Sequence, residues 1–155
     1  MDVGNGVTCT YKDWLGFGKD PAKQKETETN MISFDTFKPG DGTPIYLQIL
    51  LFIKRGAVAG TILDGDELPS RRVLSALLGI NPNTVQKAFR MLEDEDLIES
   101  QTGAKSTMKL NDEKIVKLRE DLLREDIRSI TESLRQMGIT REEAVRLIEQ
   151  FWDEE

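Results

Sequence analysis

Apolar residues recur along this chain in rhythms that change from segment to segment, and each rhythm predicts an element. The densest apolar run, Tyr46-Leu-Gln-Ile-Leu-Leu-Phe-Ile53, follows Thr43-Pro44. That pair reads as an N-cap residue with proline at the first helical position, where the missing N–H has no intrahelical partner to lose. The helix is expected to run to about Ala59 and to end at Gly60. Asp64-Gly65-Asp66 reads as a turn. Ser70 then caps a second helix of about two turns that Gly79 closes, and Asn81-Pro82 repeats the cap-plus-proline signal only three residues later. In the third helix Val85, Ala88, Phe89 and Leu92 fall at i, i+3, i+4 and i+7, which is one buried face.

Beyond the acidic exit Glu93-Asp-Glu-Asp96 the pattern shortens. Leu97-Ile98 opens a strand, Thr102-Gly103 makes a turn, and a second strand runs through Thr107-Met-Lys-Leu110, which is a β-hairpin. Residues 111–137 read as a long helix, capped by Asn111 or Asp112, with Leu123, Ile127, Ile130, Leu134 and Met137 in steps of four and three. Gly138 stops it. Thr140-Arg-Glu-Glu143 is a capping box, and the last helix carries Ala144, Leu147, Ile148, Phe151 and Trp152 on one face.

The expected fold class is therefore mainly α with a small β-hairpin wing (α+β): a winged helix-turn-helix domain at 43–111 and a C-terminal helical hairpin at 112–155. Residues 1–42 hold eight glycines and prolines without sustained periodicity and are expected to be mostly flexible, although Met31-Ile-Ser-Phe-Asp-Thr-Phe37 is more apolar and Met31 is a candidate biological start.

Composition narrows the chemistry. The 155 residues contain no histidine, which removes the commonest general base and every His-containing metal site. The single cysteine, Cys9, allows neither an internal disulfide nor a cysteine cluster. Gly103-Ala-Lys-Ser-Thr107 resembles a phosphate loop only superficially, because the adjacent Gly-Lys and the glycine five residues earlier are missing. No enzyme, cofactor or metal site is expected. The opening residues lack the apolar stretch of a signal peptide, and Tyr46–Ile53 is far short of the roughly 20 residues that span a membrane. A cytoplasmic protein without membrane attachment is the expectation.

Charge then points to a partner. The formal charge is −7, yet between Leu68 and Leu92 the charged residues are Arg71, Arg72, Lys87 and Arg90, with no acid among them. Residues 43–110 balance eight basic against eight acidic side chains, while residues 111–155 hold eight against thirteen. With its apolar face turned inward, the third helix shows Asn83, Thr84, Gln86, Lys87 and Arg90 outward, the amide, hydroxyl and cationic groups that bond base edges or phosphates in a major groove. The N-terminus at Asn81-Pro82 adds free N–H groups suited to a phosphate.

These residues resemble the GntR-type bacterial transcription regulators. The resemblance covers 43–110 through Pro44-Ile-Tyr46, Ile49, Gly60, Gly65, Leu68-Pro-Ser70, Arg72, Leu74, Leu78-Gly79, Asn81-Pro-Asn-Thr-Val85, Leu92 and Leu97-Ile98. A tail of 45 residues forming two helices is similar to the small YtrA-type subfamily. The resemblance implies DNA contacts from Arg72, from Asn81, Pro82, Asn83 and Thr84, and from Gln86, with Thr102-Gly103 as the wing tip near a minor groove. The wing departs from the family's Gly-Lys-Gly-Thr-Phe-Val: here it reads Gly103-Ala-Lys-Ser-Thr-Met108, leaving Lys105 as its phosphate-reaching cation.

Leu47, Leu51 and Phe52 are apolar where a lone winged helix is expected to be polar, and exposure forfeits roughly 1.5–3 kcal/mol for each. With Leu123, Ile127, Ile130, Leu134, Leu147, Phe151 and Trp152 they form an expected dimerisation surface, meeting partly within one chain and partly across a two-fold axis; docking within a monomer is the alternative. The expectation is a homodimeric repressor of a short palindromic double-stranded DNA operator. YtrA-type relatives add the expectation of control over neighbouring transporter genes. The alternative is a winged-helix protein-interaction module without DNA readout. The residues leave open whether a small-molecule effector releases the DNA.

Overall fold

The computed structural model describes residues 30–40, 42–101 and 105–152. Helix α1 (Ile45–Ala59) starts one residue later than its sequence signals imply: Pro44 is the cap residue, in an extended conformation, and no side chain caps the end. Thr43 contributes its carbonyl instead, accepting from Gln48 Nε2 at 2.6 Å, while Gln48 Oε1 accepts from the Gly40 N–H at 2.7 Å. Gly60 ends the helix at φ 75°, a left-handed conformation that only glycine adopts without strain.

Helices α2 (Arg71–Leu78) and α3 (Pro82–Asp94) begin at the predicted caps, Ser70 Oγ accepting from Val73 N–H and Asn81 Oδ1 from Asn83 N–H. The core forms where three helices meet: Ile49 and Ile53 of α1, Leu74 of α2, and Val85, Ala88, Phe89 and Leu92 of α3 are all buried. Strands β1 (Glu67–Leu68), β2 (Ile98–Gln101) and β3 (Lys105–Met108) close one side in the antiparallel order β1-β3-β2. The hairpin is the predicted one, but its second strand starts two residues earlier than expected, because Ser106 turns inward together with Met108. β1 has no counterpart among the predicted elements; two residues carry no periodicity.

Of the segment 1–42 expected to be mostly flexible, residues 30–40 are packed. Met31 bridges to Glu67 in parallel, the Ile32 N–H donates to the Glu67 carbonyl at 2.8 Å, and Ile32 and Phe34 are buried in the core. Phe34 and Phe37 stack around Phe52, with ring centroids 5.1 and 5.5 Å from it. Phe52 thus leaves water inside its own chain, as a half-buried member of an aromatic cluster, and Leu47 packs against the same core.

The tail is α4 (Asp112–Gln136) and α5 (Arg141–Trp152). Asn111 caps α4, its Oδ1 accepting from Lys114 N–H at 2.8 Å, and Thr140 Oγ1 accepts from Glu143 N–H at 3.2 Å. Helix α4 packs on α1 with Leu118 buried, and further along Arg55 of α1 meets Asp126 of α4 at 3.0 Å. Leu123, Ile127 and Ile130 are about half exposed, and Phe151 and Trp152 are 61% and 80% exposed. Among the described residues no helix is long and apolar enough to cross a membrane.

Candidate nucleic-acid interface

The geometry of the site starts with the turn between α2 and α3. Gly79 is left-handed at φ 64°, and the Ile80 N–H donates to the Ser75 carbonyl at 3.1 Å. Ser75 is itself buried, and its hydroxyl donates to the Ile80 carbonyl at 2.6 Å. Ser75 thus meets Ile80 twice across the turn, through its backbone carbonyl and through its hydroxyl. Reading by apolar rhythm missed it, since Ser75 falls on the buried face of α2 beside Leu74.

On α3 the four buried residues leave Asn83, Lys87 and Arg90 as the outermost stripe, at i, i+4 and i+7, all exposed. Asn81 and Pro82 are exposed at the helix start, whereas Thr84 and Gln86 are half-buried on its flanks. Lys87 is held: its Nζ lies 3.8 Å from the centre of the Tyr46 ring, on the first turn of α1. Tyr46 therefore belongs to the site, although its sequence signal was only that of an apolar helix. Arg72 is exposed at the start of α2; neither it nor Arg90 has an ion-pair partner among the described residues.

Arg71 does not join this stripe, which corrects its grouping with the exposed cations. Its guanidinium sits 5.6 Å from the Phe89 ring centre and its Nη2 meets Glu93 Oε1 at 3.1 Å, while its Nε is buried with no partner among the described residues. Glu93, one residue beyond the acid-free stretch, cancels its charge. Lys105 on β3 stays exposed but pairs with Glu67 at 3.2 Å across the sheet. Thr102 and Gly103, the expected wing tip, lie outside the described residues.

Asn81, Asn83, Lys87 and Arg90 of the α3 segment and Arg72 at the start of α2 are all exposed, cations and amides without a carboxylate in the stretch from Leu68 to Leu92. Such groups offer point charges for phosphates and two-pronged amides for base edges. Leu51, Leu134 and Leu147 of the apolar set lie away from them: Leu51 lines a groove of about 820 Å³ between residues 30–38 and α1, and Leu134 an apolar cleft of about 450 Å³ between α4 and α5. Leu147 lies on the open side of α5.

Residues 45–107 match the family described as bacterial regulatory proteins, gntR family. The HTH-type transcriptional regulator YhcF of Bacillus subtilis (strain 168) is 32% identical over 108 residues, which cover 70% of this chain and 89% of YhcF. The HTH-type transcriptional repressor YtrA of the same organism is 44% identical over 73 residues, 47% of this chain but only 54% of YtrA. Among solved structures, a GntR family transcriptional regulator from Listeria monocytogenes superposes with a TM-score of 0.64 at 29% identity, covering 72% of this chain and 97% of that one.

Proposed function

The chain belongs to the GntR family of DNA-binding transcription regulators, and from that premise we propose that it is a homodimeric repressor of a short palindromic operator. The exposed stripe Asn83, Lys87 and Arg90, with Arg72 beside it, is the observation that carries the reading. Each α3 enters a major groove from its N-terminal end, and the two half-sites lie about one helical turn apart or a little more. Asn83 and Lys87 reach base edges, Arg72 and Arg90 reach phosphates, and Asn81-Pro82 sets a helix N-terminus against the backbone. Residues 43–111, joined by the packed strip 30–40, form the DNA-binding unit; residues 112–155 form the dimerisation tail. Repression and control of neighbouring transporter genes are carried over from the similarity to YtrA.

Acidity concentrated in the tail supports the assignment: carboxylates away from the reading face weaken non-specific attraction and leave the cations near α3 to orient the duplex. Selection of bound DNA from a random pool, followed by binding titrations at several salt concentrations, tests it. The expected outcome is an inverted repeat whose affinity falls steeply with salt, with the logarithmic slope reduced by about 1 in Arg72→Ala and again in Arg90→Ala. Unchanged binding in both variants removes these residues from the interface. Failure to select any DNA, together with capture of a protein on α3, is the result that favours a protein-interaction module.

A further inference from the structure

The strip 30–40 is fastened to the domain at both ends: the Ile32 N–H donates to the Glu67 carbonyl at 2.8 Å, and the Gly40 N–H to Gln48 Oε1 at 2.7 Å. The space left along α1 is the groove of about 820 Å³. That volume lies within the range of small-molecule sites, roughly 300–1,000 Å³. Its lining joins the apolar Leu51, Phe37, Phe52 and Ile62 to two cations, Lys38 and Arg55. The rings of Phe37 and Phe52 meet at 81° with centroids 5.5 Å apart, so a flat apolar group entering the groove finds aromatic surface already ordered. The one carboxylate of the lining, Asp66, is buried, and its Oδ2 accepts from the Leu63 N–H at 2.8 Å. Lys38 is exposed and has no ion-pair partner among the described residues. The charge that the groove offers a ligand is therefore positive.

Arg55 has a second engagement. Its Nη2 donates to both carboxylate oxygens of Asp126 on α4, at 3.0 and 3.1 Å, while Asp126 itself stands outside the groove. The pair is open to water, its side chains 57% and 50% exposed, and an exposed ion pair contributes little. A carboxylate carried into the groove on an apolar body gains from burying that body and matches the guanidinium fork as well as Asp126 does. It takes Arg55 from Asp126 at small cost, and α4 then loses a tie to α1. Ile127, next to Asp126, and Ile130 belong to the apolar surface of the tail, so the loosened segment is the one read above as joining two chains.

We propose that this groove is an effector site for a small aromatic carboxylate, that Arg55 binds it in exchange for Asp126, and that the exchange frees α4 from α1 and lowers operator affinity. The regulatory half rests on the dimeric DNA-binding reading above; the binding half does not. The test titrates 2-naphthoate, and 2-naphthylmethanol as its neutral twin, into the full chain by calorimetry. The acid is expected to bind once per chain and about tenfold more tightly than the alcohol. Arg55→Gln removes that preference. Asp126→Asn, which withdraws the competing charge, is expected to bind 2-naphthoate about two- to fivefold more tightly than the wild type. On the selected operator, 2-naphthoate weakens DNA binding by the wild type but not by Arg55→Gln, and operator weakens 2-naphthoate binding by the same factor.

A full chain that binds no 2-naphthoate overturns the site. Equal binding of acid and alcohol overturns it too, and so does binding undiminished in Arg55→Gln, which moves the ligand to the cleft between α4 and α5. Unchanged or weaker binding in Asp126→Asn overturns the exchange, and this variant with the acid–alcohol comparison decides the matter if Arg55→Gln fails to fold. Bound 2-naphthoate that leaves operator affinity unchanged overturns the regulation. A chain that selects no DNA overturns the DNA-binding reading and the regulation with it, while the titrations still decide the site.

Discussion

At the scale of single residues, charge is spent on holding the domain's joints as much as on facing solvent. Asp96 accepts from Lys109 Nζ at 2.8 Å and from Lys114 Nζ at 2.9 Å, linking the exit of α3 to the end of the wing and the start of α4. The Lys109 hydrogen bond and then that of Lys114 lower the Asp96 pKa from 3.8 to about 2. A carboxyl depressed on folding stabilises fully above its ordinary pKa, and the contribution is lost as pH falls through its folded value. Thermal midpoints are therefore expected to fall between pH 4 and pH 2, and Asp96→Asn is expected to flatten that part of the profile. Asparagine suits the test because it accepts the left-handed backbone. A second expectation concerns Tyr46. If its ring restrains Lys87, Tyr46→Phe keeps operator affinity, whereas Tyr46→Leu lowers it by about 0.5–1 kcal/mol, the range for a cation over a ring at an exposed site. Equal affinities in the two variants, measured by titration, refute the restraint.

Elements are governed by their ends. Ser70, Asn81, Asn111 and Thr140 each accept a backbone N–H within the first turn of a helix, and each was readable in the chain because a short polar side chain before an apolar rhythm has little other use. Ser70→Ala is expected to cost about 1 kcal/mol in chemical denaturation, since the Val73 N–H loses its acceptor. Thr43 carried the same signal and does not cap, because the extended backbone at Pro44 places the helix start beyond its reach. Elements whose existence depends on a distant partner left no local trace. β1 is a strand only because β3 and Met31 lie on either side of it. Ser75 matters through a turn that its own helix does not contain.

At the scale of the whole molecule, exposed apolar surface is concentrated in the tail. Ile127 and Ile130 line an apolar cleft beside α5 and remain about half exposed, and Phe151 and Trp152 are more exposed still. A contiguous apolar surface of this kind is costly in water unless a second surface covers it. If a second copy does so, light scattering of the wild-type chain at micromolar concentration gives a dimer. Ile127→Glu combined with Ile130→Glu is then expected to give a monomer with unchanged helix content by circular dichroism. A wild-type monomer excludes the dimer. The sequence by itself determined the helix order, the inward face of α3 and the hairpin, because local periodicity and capping chemistry depend on neighbours a few residues away. It also set the acid-free run of cations near α3. Only the tertiary structure decided which of those cations are free. Arg71 is paired with Glu93, while Lys87 is held by Tyr46; outside that run, Lys105 of the wing is paired with Glu67. It also decided that Ile32 and Phe34 join the core and that Phe52 is half-buried against Phe34 and Phe37 within its own chain. These outcomes depend on contacts between residues far apart in the chain, and a charge or an apolar side chain looks the same in sequence whether or not such a partner is waiting.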